Sequence, residues 1–165
     1  MNQTGIIRKI DELGRIVLPK ELRKYLNINP GDDFQIILNG NKIILEKYSY
    51  LSNYKEETIK IINSFSTINS YDISLVINNE IVNKNNIKIK NEISNIIKER
   101  KIYINEEIKD YKLSDNYSNK GKILISPIVI NSDLLGAIII IASDNINNII
   151  MTNKIINNLI KSIYL

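Results

Sequence analysis

The chain has 165 residues, 44% hydrophobic and 24% charged, with a net charge of +4. That is length for one ordinary domain or two small ones, in the soluble globular class. Neither Cys nor His occurs, which excludes disulfides, thiolate nucleophiles, imidazole bases and Cys/His metal sites.

Residues 4–10 and 13–18 read as two strands, with a turn at residues 11–14. Pro19 stands at a first helical position, where its missing N–H costs nothing. Residues 20–26 then predict a short helix with Leu22, Tyr25 and Leu26 inward. Asn29-Pro30-Gly31-Asp32 is a turn, because Pro presets φ and Gly accepts positive φ. Residues 34–38 and 42–47 predict a hairpin across Asn39-Gly40-Asn41. This half holds four of the six glycines and two of the three prolines. Strands this short bury little, and neither disulfide nor metal is on hand, so the size alone predicts a dimer.

The texture changes at residues 48–53, a short polar-aromatic joint. Tyr54, Thr58, Ile61, Ile62, Phe65 and Ile68 recur at helical spacing and predict a helix over residues 53–69. Residues 72–77 and 80–83 predict a hairpin, and residues 91–100 a short helix with Ile93, Ile96 and Ile97 inside. Residues 122–130 and 134–143 are apolar strands joined by Asn131-Ser132-Asp133. Residues 149–164 are helical, with Ile149, Ile156, Leu159, Ile160 and Ile163 on one face. Helix, antiparallel sheet and helix make an α+β pattern. Ile, Asn and Lys have AT-rich codons, and the Asn-rich stretches 83–86 and 145–148 read as drifted loops. The longest apolar run, residues 134–142, is far below the ~20 residues a membrane helix needs. The N-terminus also lacks the apolar core of a signal peptide, so the expected location is the cytoplasm.

The first twenty-five residues carry Arg8, Lys9, Arg15, Lys20, Arg23 and Lys24 against Asp11, Glu12 and Glu21, a local balance of +3. Arginines on a strand pair can fork onto phosphates or guanine edges, and a two-fold dimer doubles the patch.

The framework Thr4-Gly5-Ile6-Ile7-Arg8-Lys9-Ile10-Asp11-Glu12-Leu13-Gly14-Arg15-Ile16-Val17-Leu18-Pro19-Lys20-Glu21-Leu22-Arg23-Lys24 resembles the N-terminal domain of the AbrB-like transition-state regulators. Leu26-Asn27-Ile28-Asn29-Pro30-Gly31-Asp32 and Ile43-Ile44-Leu45-Glu46-Lys47-Tyr48 continue the resemblance to about residue 50. It implies a swapped-hairpin β-barrel dimer over residues 1–50 that binds double-stranded DNA. It also implies regulation of sporulation or stationary-phase genes. Arg8, Arg15 and Arg23 line up with basic family positions and are the implied DNA contacts, with Lys9 and Lys24 beside them. Lys24 stands where the family often has Arg, which keeps the charge and loses the fork. Glu46 stands where Lys is common, so that strand is less basic.

Residues 54–165 resemble a GAF-like domain, an antiparallel sheet flanked by helices, with residues 125–137 as its paired central strands. No ligand signature is present, and Glu106, Glu107, Asp110 and Asp115 read as a solvated loop. The Ile stripes read as core or oligomer interface. The second domain is therefore expected to serve assembly, in a homodimer or homotetramer, without a bound cofactor; sensing of a small-molecule effector is the alternative for it. MazE-type antitoxins share the N-terminal fold, and an antitoxin-like or scaffold protein with autoregulatory DNA binding is the alternative. No convergent set of carboxylates, Lys and Tyr is visible, so no enzyme is expected.

Overall fold

The computed structural model describes residues 5–26, 28, 30–48, 51, 54–130 and 132–164. Thr4, Asn29 and Asn131 lie outside the described residues, as do residues 49, 50, 52 and 53 of the expected joint. The chain divides into two compact units, Met1–Tyr48 and Ser49–Leu165.

In the first unit, residues 5–10 run into a tight turn. The Gly14 N–H donates to the Asp11 carbonyl at 2.9 Å, and the Asp11 N–H donates to the Arg15 carbonyl at 3.1 Å. Gly14 has φ +76, the left-handed residue that closes a three-residue hairpin loop. Beyond this turn the described residues of the two arms belong to no sheet, although the sequence predicts a strand in each. Their apolar residues are as the sequence has them, but among the described residues neither arm has a ladder partner.

Pro19 (φ −56, ψ 146) caps helix α1, Lys20–Tyr25, one residue earlier than predicted. The predicted inner face of α1 is not buried: Tyr25 is 83% exposed and Leu26 is also exposed. Only Leu22 of that face is partly covered among the described residues. Gly31, at φ +91, turns the chain into strand β1, Phe34–Asn39. Strand β2, Lys42–Lys47, pairs with β1 in a register that ends at Asn39↔Lys42, so the hairpin turn is only Gly40-Asn41. Ile36 and Leu38 lie opposite Leu45 and Ile43 on one side of the pair, and Ile37 opposite Ile44 on the other.

The second unit contains helix α2 (Lys55–Asn69) and strands β3 (Asp72–Ile77), β4 (Glu80–Ile81) and β5 (Ile87–Lys88). Helix α3 (Asn91–Lys98), strands β6 (Tyr103–Lys112), β7 (Ser118–Ile130) and β8 (Asp133–Ala142), and helix α4 (Ile146–Tyr164) complete it. The strands form one antiparallel sheet in the order β5-β4-β3-β8-β7-β6. Central β8 reads as an uninterrupted apolar run because both of its faces are covered. Ile138, Ile140 and Ala142 pack with Ile62 of α2 and with Ile149, Ile156 and Ile160 of α4. Ala137, Ile139 and Ile141 pack in a second cluster with Ile97 of α3. Three residues predicted inward, Tyr54, Ile68 and Leu159, are exposed instead.

Strand β6 was not predicted. Residues 103–112, with Glu106, Glu107 and Asp110, are an edge strand and not a loop; both faces are mostly exposed, so no alternation marks them. Pairing with β7, from Tyr103↔Ile125 to Lys112↔Ser118, makes them a strand. Asp115 does lie in a loop, 3.4 Å from Lys90. Pro127 sits beyond the end of the β6 pairing, so its missing N–H breaks no ladder bond on that side.

The predicted strand 80–83 is cut to two residues, and Asn83 takes over with its side chain. Its Oδ1 accepts the Leu75 N–H at 2.9 Å, and its Nδ2 donates to the Ile73 carbonyl at 2.9 Å. Asn83 lies in a turn, as expected, but its side chain anchors β3 and is not idle. Asn78 and Asn79, at φ +51 and +64, form the β3–β4 turn, and Asn85 and Asn86 also adopt positive φ; Asn tolerates that region better than most residues. Asn83→Ala would leave two strand groups unpaired and should cost about 2 kcal/mol, read as a lower urea midpoint. An unchanged midpoint would mean that water replaces the amide.

On β3, the nearly buried Asp72 carboxylate pairs with Lys84 and accepts the Tyr117 hydroxyl at 2.6 and 2.7 Å. The charge is thus both paired and hydrogen-bonded, as burial requires. Among the described residues no helix is long and apolar enough to cross a membrane.

Candidate nucleic-acid interface

The five cations singled out in the sequence all lie in the first unit, and all are exposed. Arg8 and Lys9 are on the arm entering the Asp11–Gly14 turn, Arg15 is the first residue leaving it, and Arg23 and Lys24 form the last turn of α1. Cations there complement the C-terminal end of the helix dipole. Arg8 Nη1 donates to the neighbouring Ile7 carbonyl at 3.0 Å. Among the described residues, no ion pair joins Arg8, Lys9, Arg23 or Lys24 to a carboxylate. Their charge is available to an external anion.

Arg15 is different. Its Nε donates to Asp11 Oδ2 at 2.8 Å, while Asp11 Oδ1 accepts the backbone N–H groups of Leu13 at 3.0 Å and Arg15 at 2.8 Å. The Arg15 backbone N–H and then its guanidinium hold the Asp11 carboxyl below the ordinary carboxylate range. In the sequence, Asp11 counts only as a negative charge subtracted from the patch. The signal that marks it is its spacing, four residues before an arginine that directly follows a glycine.

The first unit also exposes apolar side chains. Ile7 is 88% exposed, Leu38 77% and Ile36 68%. Exposed cations beside uncovered aliphatic residues give this unit a surface that can attract a polyanion.

Comparison with known proteins gives the class. Residues 7–52 match the family model described as antidote-toxin recognition MazE, bacterial antitoxin. Residues 76–160, just over half of the chain, match the model described as Stage V sporulation protein T C-terminal, transcription factor. The two units thus define a transcription regulator with an AbrB/MazE-type N-terminal part. The chain belongs to the Stage V sporulation protein T C-terminal family of transcription factors.

It is similar to Stage V sporulation protein T of Bacillus subtilis (strain 168), with 28% identity over 87% of this chain and 86% of that protein. It is also similar to the transition state regulatory protein AbrB of the same organism, with 54% identity over 48 residues, which is 29% of this chain and 50% of that protein. These relatives are regulators, not enzymes.

Proposed function

We propose that the chain is a sequence-selective, double-stranded-DNA-binding transcription regulator of sporulation or transition-state genes, and that it binds DNA as a two-fold dimer. The 54% identity to AbrB over 48 residues carries this reading, because it falls on the unit that holds the exposed Arg8, Lys9, Arg15, Arg23 and Lys24. Arg8, Arg15 and Arg23 are the proposed DNA contacts, with Lys9 and Lys24 adding phosphate attraction. Residues 1–50 form the DNA-binding domain and residues 54–165 the regulatory and assembly domain.

Two copies of the first unit close a swapped-hairpin barrel. The unladdered arms and the exposed Ile7, Ile36 and Leu38 support this, since a second copy supplies both the missing strands and the missing cover. The second domain is GAF-like; its antiparallel sheet with apolar clusters on both faces supports that reading. It serves homodimer or homotetramer assembly in the cytoplasm.

Arg15→Ala should weaken binding to an AT-rich duplex by about tenfold or more, at 1–3 kcal/mol per specific contact, with an unchanged thermal transition. A variant that binds DNA normally removes Arg15 from the interface, and one that loses its transition makes Arg15 structural. The match to the antitoxin model favours a second reading, in which a partner protein is the main target. A small protein captured from the native cells at fixed stoichiometry, together with weak DNA binding, would select it.

A further inference from the structure

The Asp11 carboxylate lies within hydrogen-bond distance of a cation assigned to DNA, where a negative charge should only repel a polyanion. Simple electrostatics would remove it. Its stabilising value is also small, since the pair is exposed, with 41% of the Asp11 and 70% of the Arg15 side chain accessible, and exposed pairs contribute little. The geometry shows what the carboxylate does instead. One oxygen gathers the Leu13 and Arg15 backbone N–H groups and so shapes the turn. The other holds Arg15 by Nε. That leaves both Nη groups of Arg15 without a hydrogen bond among the described residues. The Nη end is the one that forks onto a phosphate or onto guanine O6 and N7.

We propose that Asp11 is a positioning residue for DNA recognition: it clamps the Arg15 guanidinium by Nε and presents its Nη fork to the duplex. The inference rests on the DNA-binding reading above. A long, exposed arginine otherwise loses its rotamer freedom on binding, and prior immobilisation removes part of that cost.

Asp11→Asn is the test. Its carbonyl oxygen still accepts the two turn N–H groups, but its amide cannot accept from Arg15 Nε. Bulk electrostatics predicts that this variant binds DNA more tightly, because a negative charge is gone. Positioning predicts the opposite sign.

In fluorescence anisotropy with an AT-rich duplex, the full-length variant should bind about threefold to tenfold more weakly per half-site. In an Arg15→Ala background the same substitution should cause no loss, because there is no fork left to orient. Wild-type-like or tighter binding by Asp11→Asn, or an equal loss in the Arg15→Ala background, overturns the proposal. If Asp11→Asn loses its thermal transition, Asp11→Glu replaces it: the charge is kept, the carboxylate moves by one methylene, and binding should still weaken. Equal binding by Asp11→Glu then overturns the proposal. Wild-type protein that binds no duplex even at low salt defeats the DNA-binding reading itself, a different outcome from normal wild-type binding with an indifferent Asp11→Asn.

Discussion

Titrated onto an AT-rich duplex, the protein should lose about 10³-fold or more in affinity between 50 and 200 mM salt. Each phosphate neutralised by Lys or Arg releases condensed counterions, so log K falls linearly with log salt, with a slope of about −0.9 per contact. One copy carries Arg8, Lys9, Arg15, Arg23 and Lys24, all exposed. If all five contribute, two copies give a slope of about −9, and one copy a slope of about −4.5. The slope thus tests DNA binding and the two-fold grip together. Arg15→Ala in both copies should make it shallower by about 2. A flat dependence removes the phosphate-contact account, and a slope near −4.5 removes the paired one.

The second large effect lies at Gly136. A Cβ built there would stand 2.3 Å from the Val76 carbonyl oxygen and 2.9 Å from Leu51 Cδ2. Leu51 is a flexible side chain and could move, but the Val76 carbonyl is main chain of β3, which bonds β8 at Val76↔Ala137. The neighbouring β7–β8 pairing is already irregular between Ile128 and Val129. No rotamer change relieves a contact between backbone and Cβ, so the two central strands would have to separate. Gly136→Ala should cost about 3–5 kcal/mol, at the upper end for a single substitution, and lower the thermal midpoint by roughly 10–20 °C. Gly121→Ala meets the backbone of Ala142 at 2.7 Å but at the last residue of β8, so its effect should be smaller. A Gly136→Ala midpoint close to the wild type would mean that β3 and β8 are less closely apposed than described.

What is legible in the sequence depends on whether a signal is local. The Asp11–Gly14 turn, α1 after Pro19, the β1–β2 hairpin and the apolar run of β8 each follow from residues within a few positions of one another. The α+β class follows from their order, and the cationic cluster is visible as a list of residues. Strand β6 was illegible because its existence depends on hydrogen bonds to β7 and not on its own apolar pattern. The shortening of β4 was illegible for a related reason: the Asn83 amide replaces backbone, and composition does not distinguish an amide that anchors a strand from one in a loop.

By itself, the sequence of this protein determined the chemistry it has to offer: no Cys or His, and a basic N-terminal stretch around a glycine turn and a proline-started helix. Only the tertiary structure decided how those cations are held. Arg8, Lys9, Arg23 and Lys24 stand open, while Arg15 is clamped by Asp11, because a turn closed by Gly14 at positive φ brings a carboxylate and a guanidinium four residues apart into hydrogen-bond distance. The tertiary structure also decided which aliphatic residues are core. Ile62 and Ile160 are buried while Ile68 and Leu159 are not, since helical spacing defines a stripe but the packed sheet covers only part of it.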